Sequence, residues 1–237
     1  MKEKQPYIVE ETGDFAVVFK PPQMHCVPLK QKTNESLQEW YTAVFPGIEK
    51  YGGAPVHRLD FDTHGLALFA KNKESLAFFQ SLQEKGEFVK EYGAICCKTA
   101  KKLSGFPPEP VFAERPFVIE SFFRPFGPGR KQVRPVTDGK YREIAKDRGS
   151  YYRTEVSRAE DNVFVLKIKR GFRHQIRCHL CWAGFPILND PIYGTAPQEK
   201  AFLALRAQAL FFADPKSGLK RESRIASIEN IPFFVQK

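Results

Sequence analysis

Short apolar runs bounded by polar residues, glycine or proline recur through the first hundred residues. Residues 16–19, 66–70 and 92–97 each predict a short buried strand. Between the last two runs, apolar residues at helical spacing follow Asn72 and stop at Gly86. Asn is favoured at helix N-caps and Gly at the position after the last turn, so this segment predicts a helix.

The remaining elements are predicted by the same criteria of spacing and turn residues. We predict helices over 36–45 and 174–183, a proline-rich loop over 101–116, and strands over 151–156, 163–169, 201–212 and 231–235. Strands and helices are mixed without regular βαβ alternation. This order favours an α+β fold with a largely antiparallel or mixed central sheet and flanking helices. The length of 237 residues favours a single domain spanning 1–237.

Composition is typical of a globular protein and adds one functional hint. Apolar residues make up 42% and charged residues 27%, and most of the 22 phenylalanines must lie in the core. The formal net charge is +10. A charge of this size favours binding to a polyanion such as nucleic acid, although a solvated basic surface explains it equally well.

The five cysteines predict neither disulfides nor a metal site. Their number is odd and the polar start lacks a signal-peptide pattern, so we expect a reducing, cytoplasmic compartment. Cys178 and Cys181 have the spacing of half a zinc site, but Cys96 and Cys97 are adjacent and do not supply a second half. No run of about 18 apolar residues predicts a membrane span.

The densest polar cluster covers residues 56–65, directly before the apolar run 66–70. Loops held by a rigid strand often carry catalytic groups, which makes Asp60 and Asp62 candidate carboxylates. Locally, a polar turn with capping side chains explains Asp62 and Thr63 just as well.

Two basic segments lie further along the chain. In residues 167–180, helical spacing places His174 and Arg177 on one side, which suits contact with phosphate or with a distant carboxylate. The alternative is a basic amphipathic surface helix. Residues 122–134 interleave aromatic side chains with arginine and contain no acidic residue. This segment suits stacking on single-stranded RNA, or is a flexible surface loop.

Five short motifs in order resemble the RluA-type RNA pseudouridine synthases. The resemblance runs from about Val9 to Asp214. It is carried by Lys20-Pro21-Pro22, by His57-Arg58-Leu59-Asp60-x-Asp62-Thr63-x-Gly65-Leu66, by Lys90-Glu91-Tyr92, by Gly171-x-x-His174-Gln175-Ile176-Arg177-x-His179-Leu180, and by Pro186-Ile187-Leu188-Asn189-Asp190-Pro191-Ile192-Tyr193-Gly194.

The resemblance implies a pseudouridine-synthase-like domain with a catalytic cleft. It also implies an isomerase that detaches uracil from C1′ of a uridine in RNA, turns the base and rejoins it through C5. This reaction implies no cofactor and no metal. The partner implied is ribosomal or transfer RNA, and we expect a monomer without an obligatory protein partner. Only about ten residues precede the first strand, so we expect no S4-type RNA-binding module.

Residue roles carried over by the resemblance centre on three side chains. Asp60 is the catalytic carboxylate, Arg177 pairs with it, and Tyr92 lies against the base, where it stacks or takes a proton. Tyr92 also reads as an ordinary core tyrosine. A glycosidase dyad of Asp60 and Asp62 is disfavoured because no general acid is evident. The substrate contacts implied or suggested are Arg58, His57, Arg173, His174, Gln175, Arg124 and Arg130.

The chain departs from the family pattern next to these motifs. Phe61 stands where the family usually has Arg, His64 where it has Ser, and Phe172 where it has Arg, with Arg173 one place later. These changes bear on substrate contacts more than on the chemistry. They also leave open a second hypothesis, a catalytically inactive RNA-binding protein of the same fold.

Overall fold

The computed structural model describes residues 4–31, 35–45, 53, 55–98, 103–110, 116–137, 151–160, 162–194 and 201–230. These residues group into two compact units. The first contains the described residues up to Tyr92 together with Arg206–Ser227, and the second those from Gly93 to Leu205 and from Ile228 onward.

The first unit is built on a mixed sheet. Its strands are β1 (Tyr7–Glu11), β2 (Phe15–Lys20), β3 (His64–Ala70), the start of β4 (Val89–Ile95), most of β9 (Leu205–Ala213) and β10 (Lys220–Arg224). Neighbours β1–β2, β2–β3 and β9–β10 are antiparallel, whereas β3 and β9 pair in parallel. Both β2 and β3 are buried along their whole length, which explains why their sequences read as continuous apolar runs.

Alternate residues of β2 and β3 face two different hydrophobic clusters, because successive side chains of a strand point to opposite faces. On one face, Phe15 and Leu68 pack with Phe79 of helix α2 (Lys73–Lys85). On the other face, Val18 and Phe69 pack with α1 (Leu37–Val44). The two helices therefore cover the two faces of the central strand pair.

The ends of both helices follow the sequence closely. Ser36 caps α1 through a capping box with Glu39, and Asn72 caps α2 through a similar exchange with Ser75. Gly86 ends α2 in the left-handed conformation, with φ 70°. The predicted N-cap and C-terminal glycine of the second helix are confirmed.

Gly65 allows the backbone to enter β3 beside β9. Its φ is 120°, and a Cβ atom built on it would lie 2.2 Å from the carbonyl oxygen of Ala207. No side chain can be accommodated there, so the parallel pairing of Gly65 with Ala207 requires glycine. This pairing fixes the chain immediately after the polar cluster around Asp60.

The second unit is an antiparallel arrangement of strands that packs against one helix. Its strands are β5 (Phe117–Phe126), β6 (Gln132–Val136), β7 (Tyr152–Glu160) and β8 (Val163–Ile168), paired in the order β6–β5–β7–β8. Helix α3 (Gln175–Trp182) supplies Cys178 to a core that also contains Phe123, Val133, Tyr152 and Tyr193.

The α+β fold with a mixed sheet is confirmed, while one local interpretation is wrong. Residues 122–134 are not a flexible surface loop, because most of them form the hairpin of β5 and β6. The predicted strand at 231–235 and parts of the predicted loop at 101–116 lie outside the described residues. The single-domain assignment stays a prediction. None of the helices within the described ranges is long and apolar enough to cross a membrane.

Candidate active site

Asp60 lies in the turn that leads into β3. The side chains around it alternate in exposure: Leu59 is buried, Asp60 is half-buried, and Arg58 and Phe61 are exposed. The backbone N–H of Thr63 donates to the Asp60 carbonyl over 3.2 Å and closes the turn. The carboxylate is therefore presented from a backbone that is anchored on its inner side.

Lys20, at the end of β2, anchors the residue that follows Asp60. Its side chain is fully buried, and its ammonium nitrogen donates to the carbonyls of Pro21 (2.9 Å), Met24 (2.7 Å) and Phe61 (3.1 Å). Burial lowers the pKa of Lys20 to about 8, opposed by the nearby acidic groups, Asp60 among them. Three hydrogen bonds use all three N–H donors of the protonated ammonium.

Cys26 anchors the residue that precedes Asp60. Its buried thiol donates to the carbonyl of Leu59 (3.4 Å) and accepts from the N–H of Leu59 (3.1 Å). Burial raises the pKa of Cys26, which keeps it a thiol. The Cys26 carbonyl in turn accepts from the N–H of Gln38 at the start of α1. Both neighbours of Asp60 are thus held, one by a thiol and one by an ammonium.

We expect Cys26→Ala to loosen this turn. The substitution leaves the buried N–H of Leu59 without its acceptor, which costs on the order of 1–3 kcal/mol. Amide hydrogen exchange at Leu59 should accelerate by about tenfold or more, and Cys26→Ser, which keeps a donor and an acceptor, should restore most of the protection. Cys97→Ala is the matched control, because the Cys97 thiol contacts Pro186 in the second unit. Unchanged exchange at Leu59 in Cys26→Ala would contradict this anchoring role.

Tyr92 lies on β4 and is 5% exposed. Burial raises the pKa of its hydroxyl, and the charge of Asp60 raises it further. The phenol therefore stays neutral. Because the charge of Asp60 affects the pKa of Tyr92, the two residues share one electrostatic environment within the first unit. The low exposure also fits a core tyrosine, so the role of Tyr92 at the base stays a prediction.

The two histidines of the cluster are buried. His57 lies 5.4 Å from the ring of Phe88 by ring centroids and is 8% exposed. Burial, with a smaller effect of Lys90, lowers the pKa of His57 to about 3, so its ring is neutral. This position favours a structural role, and the predicted substrate contact of His57 stays a prediction. Arg58, by contrast, is exposed and accessible to a ligand.

A buried cation that the sequence analysis missed lies beside His64. Arg206 is fully buried, pairs with His64 in the parallel register of β3 and β9, and lies 5.3 Å from the ring of Phe19. Burial, then Arg206, then Lys20 lower the pKa of His64 to about 3. In the sequence, the one sign of this buried cation is an arginine inside the mostly apolar run 201–212.

Arg177, in the second unit, forms a buried bidentate ion pair with Asp190. Its Nε and Nη2 donate to the two carboxylate oxygens, each over 2.8 Å. One carboxylate oxygen also accepts from the backbone N–H groups of Ile192 and Tyr193. Asp190 belongs to the motif 186–194, which by itself predicts no role for this residue. The pairing of Arg177 with Asp60 stays a prediction.

The residues around α3 that were assigned to the substrate make several contacts within the protein. Gln175 is buried, donates to Arg153 O and Thr154 Oγ1, and accepts from the Phe172 N–H. These contacts favour a structural role for Gln175. His174 is half-buried, and its Nδ1 lies 3.2 Å from the Tyr193 hydroxyl.

Arg173 and Arg130 meet at the tip of the β5–β6 hairpin. Both are exposed, and the Arg173 guanidinium donates to the carbonyls of Arg130 (2.6 Å) and Gln132 (3.2 Å). Arg124 is half-buried and donates to Gly105 O. The substrate roles of these three arginines stay predictions, although the structure joins two of them on one exposed surface.

Phe172 has a partner of its own. Its ring stacks on Phe123 with centroids 5.0 Å apart and planes 6° apart, inside the core of the second unit.

Within the described ranges, no group of three or more His, Cys, Asp or Glu is arranged to hold a metal ion. Cys178 and Cys181 are both free cysteines.

The chain resembles known proteins in sequence and in structure. The sequence model of a family described as RNA pseudouridylate synthase matches residues 14–182. An uncharacterized protein of Caenorhabditis elegans is 34% identical over 194 residues, which are 80% of this chain and 39% of that protein. Ribosomal large subunit pseudouridine synthase D of Borreliella burgdorferi is 32% identical over 150 residues, which are 62% of this chain and 40% of that protein. The chain thus spans about two fifths of the length of these two relatives.

A third relative and two solved structures cover more of both chains. An uncharacterized RNA pseudouridine synthase of Bacillus subtilis is 24% identical over 88% of this chain and 68% of its own length. Human RNA Pseudouridylate Synthase Domain Containing 1 aligns with a TM-score of 0.67 at 22% identity, over 94% of this chain and 84% of that one. Human RNA Pseudouridylate Synthase Domain Containing 4 aligns with a TM-score of 0.62 at 17% identity, over 93% and 88%. The structural likenesses show a shared fold.

Proposed function

The chain belongs to the RNA pseudouridylate synthase family, and on that premise we propose that it isomerises specific uridines of ribosomal or transfer RNA to pseudouridine, with Asp60 as its reactive carboxylate. The observation that carries the proposal is the anchored turn: a half-buried carboxylate whose two neighbours are held by Cys26 and Lys20. Such preorganisation is what a catalytic group requires.

The proposed reaction needs no oxidant, reductant or added group. The C1′–N1 bond breaks with its electron pair leaving on uracil, and the carboxylate of Asp60 attacks or stabilises the electron-poor C1′. The uracil turns and bonds to C1′ through C5, which displaces the Asp60 carboxylate if it has attacked. The C5 hydrogen leaves as a proton to water and N1 takes up a proton, so product and substrate are isomers. The uridine must leave the base stack first, because stacking shields the C1′–N1 bond.

Tyr92 and Arg177 have supporting roles in this proposal. The neutral phenol of Tyr92 presents an aromatic face to the uracil, whereas taking a proton would require its anion, which burial disfavours. The fork of Arg177 on Asp190 fixes the geometry of α3, which also carries Gln175. We assign Arg177 the further role of holding the reactive carboxylate ionised when substrate is bound.

RNA binding is proposed to rest on the basic surface. The net charge is +10, and the exposed arginines 58, 130 and 173 provide cations for phosphate contact. Residues 122–136, over which β5 and β6 pair, include no acidic residue. We further propose that the protein acts in the cytoplasm, as a monomer, and flips the target uridine out of the RNA.

Release of tritium from RNA labelled at C5 of uridine tests the proposal directly. Forming the new carbon–carbon bond expels the C5 hydrogen, so the wild-type protein should release tritium to water from total RNA of a strain that lacks the gene. The inactive RNA-binding alternative predicts binding without release. Absence of release under conditions where the RNA binds would overturn the enzymatic proposal, and mapping pseudouridine with and without the gene would identify the site.

A further inference from the structure

Phe61, directly after Asp60, exposes a large apolar ring. Its side chain is 38% exposed, although it follows a half-buried carboxylate in an otherwise polar turn. Exposed apolar rings are common singly and need no explanation in themselves.

Both the backbone and the ring of Phe61 are held. The carbonyl of Phe61 accepts from the buried ammonium of Lys20 over 3.1 Å. Its ring packs against the imidazole of His25, with centroids 4.6 Å apart and planes tilted by 38°. The His25 carbonyl in turn accepts from the N–H of Leu37 at the start of α1 over 2.8 Å. One side of the ring therefore packs against His25, and the rest of the ring is exposed.

A supported aromatic ring with an exposed face suits a flat, uncharged ligand. Unpaired nucleobases are such ligands, and they stack on aromatic side chains regardless of sequence. Arg58, three residues earlier in the chain, is also exposed and would supply a cation for a phosphate of the same RNA strand. Binding a base costs little side-chain entropy at Phe61, because the ring is already fixed before the base binds.

We propose that Phe61, supported by His25, is a stacking site for an unpaired RNA base that neighbours the uridine acted on by Asp60. This inference rests on the proposed function for the identity of the target uridine, but the stacking itself is a binding property. Phe61 would then contribute to the choice and placement of the RNA and leave the chemistry to Asp60.

Kinetics of tritium release separate these roles. In Phe61→Leu, which keeps an apolar side chain without a ring, KM for total RNA should rise about tenfold or more while kcat changes less than about threefold. Phe61→Tyr keeps the ring and should stay within about threefold of wild type in both constants. Leu219→Ala removes another exposed apolar side chain, 70% exposed, and serves as the matched control.

The proposal is overturned if KM of Phe61→Leu equals that of active wild type, or if Phe61→Leu and Phe61→Tyr lose activity alike. Thermal unfolding of each variant identifies a folding defect. Equal melting temperatures are expected, because the substituted ring is partly exposed.

A fluorescence experiment tests stacking even if the wild-type protein releases no tritium. Phe61→Trp places an indole at this position, and polyuridylic acid should quench the added fluorescence, measured as the difference from wild type. Polyphosphate, which has the charge but no bases, should not quench it. Leu219→Trp should be insensitive to both polymers. Quenching of Phe61→Trp by both polymers, or by neither, would overturn the stacking site independently of the catalytic proposal.

Discussion

Replacing Asp60 by Asn should abolish tritium release from C5-labelled RNA while RNA binding stays within about threefold of wild type. Asn has nearly the same shape as Asp but carries no charge, so it neither attacks C1′ nor stabilises positive character there. Removing one essential charged group from an active site commonly costs on the order of 10³–10⁴ in rate.

The fold around position 60 gives reason to expect an intact site in this variant. The anchors of the turn act on backbone and on neighbours: Cys26 on Leu59, Lys20 on Phe61, and the Thr63 N–H on the Asp60 carbonyl. None of these contacts involves the Asp60 carboxylate. Lost activity in Asp60→Asn would therefore report chemistry and not a collapsed turn.

Asp62→Asn is the matched control, since Asp62 lies in the same turn, is also half-buried, and is assigned to turn stability. It should retain activity within about tenfold of wild type. Sustained release in Asp60→Asn would refute the assignment of the reactive carboxylate. Equal loss in both variants would show that the turn tolerates neither substitution, and would remove the distinction drawn between the two aspartates.

Elements with strong local signals could be predicted from the sequence. Asn72 and Gly86 bound α2 as expected, because capping is decided within a few residues of the chain. The strand after the polar cluster was visible because β3 is buried on both faces and reads as an apolar run. These features depend on residues that are close together in the chain, so they can be predicted from the sequence.

The hairpin of β5 and β6 was missed because its sequence obscures the pattern of a strand. Pro125 and Pro135 disfavour a strand by propensity, and the buried Arg134 breaks the apolar alternation. In the structure, Arg134 lies 4.1 Å from the ring of Phe126 and 4.6 Å from that of Phe106, and its Nε donates to Ser104 O. Only tertiary contacts make that position suitable for a cation.

The candidate site likewise combines residues that could be predicted from the sequence with contacts that only the structure shows. Asp60 was identified through its motif, whereas the thiol of Cys26 and the ammonium of Lys20 became visible as anchors only in three dimensions. A partner 33 residues away for Cys26 and 41 residues away for Lys20 leaves no local pattern. The bidentate contact of Arg177 with Asp190 was likewise invisible, although both residues stand in recognised motifs.

The largest expected effect on stability is at this buried ion pair. Asp190→Asn should lower the free energy of unfolding of the second unit by about 3–5 kcal/mol, because it removes the negative charge that forms the bidentate pair with the buried guanidinium of Arg177. The side chains are only 2% and 0% exposed, so water cannot compensate. The remaining amide oxygen can still accept from Ile192 N and Tyr193 N, but the amide nitrogen cannot accept from Arg177 Nε, so the substitution removes the charge and one hydrogen bond.

The free energy of unfolding is measured by urea titration, with amide hydrogen exchange in α3 as the readout for the second unit. Glu120→Gln is the matched control in the same unit, because the Glu120–Arg153 pair is also close, at 3.0 Å, but about half exposed. Exposed pairs contribute at most about 1 kcal/mol. A loss in Asp190→Asn no larger than in Glu120→Gln would contradict the prediction.

The double variant Arg177→Met/Asp190→Leu decides between two origins of the loss. If the cost in Asp190→Asn comes from an uncompensated charge, removing both charges should recover part of the stability, since apolar replacements of buried pairs are often neutral. If the pair is needed for its directional hydrogen bonds to the segment 190–193, the double variant should stay as unstable as the single one. In either case the double variant should release little tritium, because the proposed catalytic role of Arg177 requires its guanidinium. Recovered activity without Arg177 would remove that residue from the catalytic group and leave Asp190 as the partner that explains its burial.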